Sequence, residues 1–123
     1  MSGARAILTD APFSPHKARL VADMVRGRSV QAAWDTLHFN TKRPARAIEK
    51  LLRSAMANAR ELAQNEKWHD GEELNEDDLV VRRITVDDGA RLKRIQPRAR
   101  GMAYGIVRRR CTITLEIDDR KQP

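Results

Sequence analysis

Apolar residues recur along most of this chain with the period of a helix, and near its end with the period of a strand. In residues 14–27, Ala18, Val21, Ala22 and Val25 fall at three- and four-residue steps, which puts them on one helix face. Ser14 supplies an N-cap oxygen, Pro15 suits the first helical position, and Gly27 provides a stop. Ser29 then caps a shorter helix carrying Val30, Ala33, Trp34 and Leu37. Stop and cap leave almost no loop, so the two helices must meet at an angle. After the polar break at 41–43, Pro44 opens the longest helix, to about Gln64. Its apolar face holds Ile48, Leu51, Leu52, Ala55, Met56, Ala59 and Leu62, while Lys50, Arg53, Asn58, Arg60 and Glu61 lie largely elsewhere.

Strict alternation comes last. Cys111, Ile113, Leu115 and Ile117 alternate with Thr112, Thr114, Glu116 and Asp118, predicting a strand with the first set inward and the second outward. Residues 79–87 read as its partner, with Val80, Ile84 and Val86 on one side, and residues 3–9 as a short further strand. Residues 66–78 are acidic, contain Asp70-Gly71, and read as an exposed loop. At 123 residues the chain fits one domain, 1–123. No apolar run exceeds three residues, against the roughly twenty of a membrane span, and the first residues lack the apolar core of a signal peptide.

Charge changes the picture between the two long strands. Arg91, Lys93, Arg94, Arg98, Arg100, Arg108, Arg109 and Arg110 are eight positive charges with no acid among them; the chain's net charge is +7, so everything else nets to −1. Such concentration costs self-repulsion unless a polyanion neutralises it. Anionic lipid would satisfy charge alone. The connection is too long for a structureless loop in a compact domain, so residues 88–110 read as a continuing two-stranded ribbon with its tip near residues 95–99. Each arm of about ten residues at about 3.3 Å reaches about 30 Å, beyond a body whose radius of gyration is about 14 Å. A lone ribbon of like charges is marginal in water, hence mobile when free and ordered when a polyanion surrounds it.

The kind of nucleic acid follows from what is scarce. Single-strand binders rely on aromatic platforms, and only Tyr104 lies in the basic segment. Arginine dominates, which suits forked contact with phosphates of a structured RNA. A second basic set, Lys17, Arg19, Arg26, Arg28, Lys42 and Arg43, flanks the first two helices, and contact at both places would clamp distant parts of one RNA. His16 beside Lys17, Arg83 on the strand leading into the ribbon, and Tyr104 complete the candidate contacts.

Catalytic chemistry finds little support. His16, His38 and His69 have no metal-ligand spacing and read as surface or capping residues. The acidic run DGEELNEDD lacks the alternating ligand order of a calcium loop. Cys111, the only cysteine, reads as a small buried apolar residue; it excludes an internal disulfide and makes a reducing, intracellular compartment the default. Trp34 reads as core, and Trp68 as docking on the domain or on a neighbour. No catalytic group, cofactor or metal is expected.

Three blocks, SPHKARLVADMVRG (14–27), KLLRSAMANA (50–59) and VDDGARLKRIQPRARG (86–101), occur in the order found in one family. The chain resembles the bacterial-type large-ribosomal-subunit protein twenty-two family over residues 14–117. That resemblance implies an α+β fold, three helices packed on a small antiparallel three-stranded sheet with a long protruding β-hairpin. It implies a cytoplasmic, ribosomal protein whose partners are large-subunit ribosomal RNA, neighbouring large-subunit proteins and, transiently, the nascent polypeptide, with no membrane and no small-molecule substrate. Leu92, Lys93, Arg94, Ile95, Gln96, Pro97 and Arg98 would be the hairpin tip lining the polypeptide exit tunnel, Leu92 to Arg94 matching the segment associated with macrolide sensitivity. Residues 102–105 depart from the family, which more often has a further basic residue there, so Tyr104 would stack on RNA instead. The acidic loop is longer than usual and would face solvent or a protein. A free-standing nucleic-acid chaperone is the alternative; an RNA-modifying enzyme would need a catalytic group that the chain lacks.

Overall fold

The computed structural model describes residues 3–71 and 73–119. The chain runs β1 (Ala4–Ala11), α1 (Pro15–Val25), α2 (Val30–His38), α3 (Arg43–Gln64), β2 (Leu79–Pro97) and β3 (Ala103–Asp119), with short 3-10 turns at Trp68–Gly71, Glu76–Asp78 and Ala99–Gly101. The sheet is antiparallel in the order β1-β3-β2. The fold is therefore α+β, three helices on a three-stranded sheet, with β2 and β3 prolonged into a hairpin.

The helices begin where local chemistry starts them. Ser14 accepts from the Lys17 amide at 3.4 Å and Ser29 from the Ala32 amide at 3.3 Å. Gly27, at φ +79°, turns the chain out of α1 through a region that costs an L side chain strain. Its amide bonds the Val81 carbonyl at 3.0 Å, and the Val81 amide returns to Arg28 at 2.8 Å, so the α1–α2 link docks on β2. Arg46 closes α2 from the other side: its guanidinium donates to the carbonyls of Leu37, His38 and Asn40 at 3.2, 2.8 and 3.0 Å, a cation at the negative end of a helix.

One core joins the layers. Ala18, Val21, Ala22 and Val25 of α1, Ala33 and Leu37 of α2, and Ile48, Leu52, Ala55 and Ala59 of α3 are buried with Cys111, Ile113, Leu115 and Ile117 of β3. Met56 and Leu62 sit at its margin. Trp34 belongs at that margin too and is not core: it is only partly buried, with the Arg53 guanidinium 5.2 Å from its ring centroid.

The tertiary contacts correct four local readings. On β2 the buried residues are Leu79, Val81, Ile84 and Val86; a bulge between Val81 and Arg83 switches the inward parity, leaving Val80 only half-buried. Asp118, expected to face out, is buried, and its carboxylate accepts from Arg82 Nη1 at 2.6 Å and pairs with His69 Nε2 at 2.6 Å. His69 is accordingly no surface histidine, its side chain being 5% exposed. The acidic segment is not simply an exposed loop, because Trp68 is buried in the core against the His69 ring and anchors it.

Candidate nucleic-acid interface

The ribbon begins where the core ends. A bulge between Asp88 and Arg91 breaks the β2–β3 register at Gly89, where an added Cβ would lie 3.1 Å from the Arg110 carbonyl carbon and oxygen. A side chain there would press on the Arg110 backbone, and glycine spares the two strands that adjustment. From residue 87 to residue 110 nothing is buried. Beyond the bulge the ladder continues from Arg91↔Arg109 to Pro97↔Ala103. Arg91 and Arg109 stand directly opposite, so like charges meet on one face, an arrangement that destabilises a free ribbon.

The turn lies further out than residues 95–99. β2 runs to Pro97, and the tip comprises residues 98–102, closed by the Arg98 amide donating to the Met102 carbonyl at 2.6 Å. Pro97 is accommodated at the last ladder position of its strand, and Arg100 and Gly101, at φ 62° and 70°, reverse the chain. Leu92 to Pro97 are thus on the β2 arm and Arg98 opens the turn. Ile95, Met102 and Tyr104 are apolar or aromatic side chains left exposed near the end.

The candidate cations sort into two groups. Several are engaged within the chain. Arg19 donates from Nε and Nη2 to the Val86 carbonyl, and Arg26 from Nη2 to that of Ile84 at 2.9 Å while also pairing with Asp23. Arg110 reaches the Asp10 carbonyl at 3.2 Å. Arg94 and Arg98 make only local bonds, to the Lys93 carbonyl and to Gln96 Oε1. By contrast the side chains of Lys17, Arg28, Lys42, Arg43, Arg83, Arg91, Lys93, Arg100, Arg108 and Arg109 form no hydrogen bond or ion pair among the described residues, and all are exposed, as is His16. Lys17, Lys42 and Arg43 gather with Arg108 and Arg109 at the root of the ribbon. Arg28 and Arg83 lie outside that gathering.

The paired charges lie elsewhere on the body. Glu49 is acted on by burial, which raises its pKa, but hydrogen bonds and charge from Arg46 and His38 outweigh this and hold it below the ordinary carboxylate value. Arg60, bonded to Glu76, lowers that carboxyl in the same way. Burial pushes the Cys111 thiol up, a group protected from reaction. Among the described residues no three His, Cys, Asp or Glu side chains gather as metal ligands, and no described helix is long and apolar enough to cross a membrane. Local pattern gave no sign of the Arg82–Asp118–His69 group; its one hint was Trp68, a large apolar residue among acids.

The fold is thus an α+β body carrying a finger of eight cations with no acid among them. The chain belongs to the ribosomal protein L22p/L17e family, whose model matches residues 6–118. It is similar to the large ribosomal subunit protein uL22 of Desulfotalea psychrophila, 43% identical over 116 residues, covering 94% of this chain and 97% of that protein.

Proposed function

We infer that this chain is a structural, non-catalytic constituent of the large ribosomal subunit. It binds ribosomal RNA, joins several of its domains and lines the polypeptide exit tunnel with the end of its hairpin. The observation that carries this reading is the ribbon itself: eight cations, no acid and no buried residue over residues 91–110. Its ordering requires a surrounding polyanion. Arginine forks supply phosphate contacts from both faces, while Lys17, Arg28, Lys42, Arg43 and Arg83 on the body engage RNA separately. The bonds of Arg19 and Arg26 to β2 leave them a lesser share of that contact. Leu92, Lys93, Arg94, Ile95, Gln96, Pro97 and Arg98 border the tunnel and meet nascent chains in passing.

Sedimentation tests the assignment. Tagged protein is expected with large subunits at physiological salt; recovery only in the ribosome-free fraction would exclude it, and equal affinity for duplex DNA and ribosomal RNA would favour a free-standing chaperone. Altering Leu92 to Arg94 is expected to change macrolide response without stopping translation. Unchanged response across that segment would remove the tunnel assignment.

A further inference from the structure

Where the finger leaves the body, the N-termini of α1 and α3 and the β3 side of the ribbon's root border a half-open cleft of about 670 Å³. Its walls are of two kinds. Leu20 and Val107, each about half exposed, supply most of the apolar surface, with the buried Phe13 and Pro44 behind them. Lys17, Lys42, Arg43, Arg108 and Arg109 supply charge, and none of them has a side-chain partner among the described residues. No carboxylate lines the cleft or the 320 Å³ pocket that adjoins it through Arg43, Arg108 and Arg109. α3 opens on this space with Lys42 as an N-cap that makes no side-chain bond, so the positive end of a 22-residue helix adds to the field.

A purely cationic patch would hold any phosphate. Apolar walls beside cations match a ligand that is flat and apolar at one end and anionic at the other. The volume lies within the roughly 300–1,000 Å³ of small-ligand sites. A base held in an RNA helix stays stacked between its neighbours and cannot turn into a cleft between side chains, whereas one splayed from a loop or bulge can. We propose that the cleft takes one unpaired nucleotide of ribosomal RNA, its base against Leu20 and Val107 and its phosphate among Lys17, Lys42 and Arg43. The inference rests on RNA being the partner and adds a site at the finger's root, apart from the exposed apolar side chains near its tip.

The test places a benzophenone side chain at position 20 in one full-length protein and at position 100, on the finger's turn, in another, each assembled into large subunits and irradiated. Cross-linking from position 20 to an unpaired nucleotide is the expected result. Cross-linking from position 20 to a paired helix or to a protein, or none at all, while position 100 labels ribosomal RNA, overturns the cleft and leaves the RNA-scaffold reading standing. If neither position labels ribosomal RNA, both fall. Leu20→Ser, at an exposed position on α1, removes apolar wall without changing charge. It is expected to weaken binding to large-subunit ribosomal RNA about tenfold with an unaltered salt slope. Undiminished affinity in that variant would also overturn the site.

Discussion

Arg19 donates two hydrogen bonds, from Nε at 3.2 Å and from Nη2 at 3.0 Å, to the carbonyl oxygen of Val86. Val86 lies on β2, an outer strand of the sheet, and Arg26 donates a single bond from Nη2 to the Ile84 carbonyl while the Gly27 amide reaches that of Val81. Edge strands expose a row of unpaired backbone groups. Here α1 and its C-terminal turn cover that row up to Val86, and the exposed ribbon starts at the next residue. The cover and the finger meet at one point in the strand.

Arg19→Met is therefore expected to destabilise the free protein by about 1 kcal/mol, a fall in Tm of about 4 °C. Arg19→Lys should recover only part, because a point charge does not reproduce the two-pronged bond. Thermal unfolding checks both, and an unchanged Tm in Arg19→Met would deny the clamp any structural role.

Neutralising Arg94 and Arg98 together, as Arg94→Gln with Arg98→Gln, is expected to weaken binding to ribosomal RNA. It should also reduce the log–log salt slope by about one unit per contact. Titrations at several salt concentrations read the slope directly. A slope equal to that of the unmodified protein would count against phosphate contact by these two side chains.

The free ribbon, with Arg91 opposite Arg109 and nothing buried, should be cut early by trypsin within residues 91–110, and protected once ribosomal RNA is added. Mass spectrometry of the first fragments locates the cuts. Resistance in the free protein together with cleavage in the RNA-bound form would contradict a finger ordered by its partner.

Glu49 sits between Arg46 Nη1, at 2.7 Å, and His38 Nδ1, at 3.4 Å, and its pKa is lowered from the ordinary 4.5. A carboxyl depressed in the folded state contributes stability that is fully present above its unfolded pKa and is lost as pH falls through the folded value. Wild type should thus exceed Glu49→Gln in stability near neutrality, with the gap closing as the pH drops below 4.5. Urea midpoints across that range measure the gap; one that stayed constant would show that the pair's charge contributes nothing.

Cys111 is buried with its thiol pushed up by desolvation, so thiol reagents should label the native protein slowly near pH 8 and the unfolded protein at once. Equal rates in the two states would mean that the strand opens far more readily than its packing implies.

The three helices were legible because everything that specifies them lies within four residues: the period of Val21, Ala22 and Val25, the oxygens of Ser14 and Ser29, and the stop at Gly27. The alternation of Cys111, Ile113, Leu115 and Ile117 was legible for the same reason, and so was the concentration of charge that points to the ribbon. What failed was uniform in kind. A bulge in β2 moved Val80 off the inward set, and the turn fell at residues 98–102 because Pro97 could occupy the last rung of the ladder.

By itself, then, the chain's order of residues determined the elements, the basic finger and the family. Only the tertiary structure decided that Asp118 would be buried beside His69, 49 residues away, and that Arg19 would bond Val86, 67 residues away. It alone brought Lys17 and Arg43 to the foot of β3. Periodicity and caps act over a single turn of chain, whereas an ion pair or a cleft depends on which distant surfaces meet, and no local pattern records that.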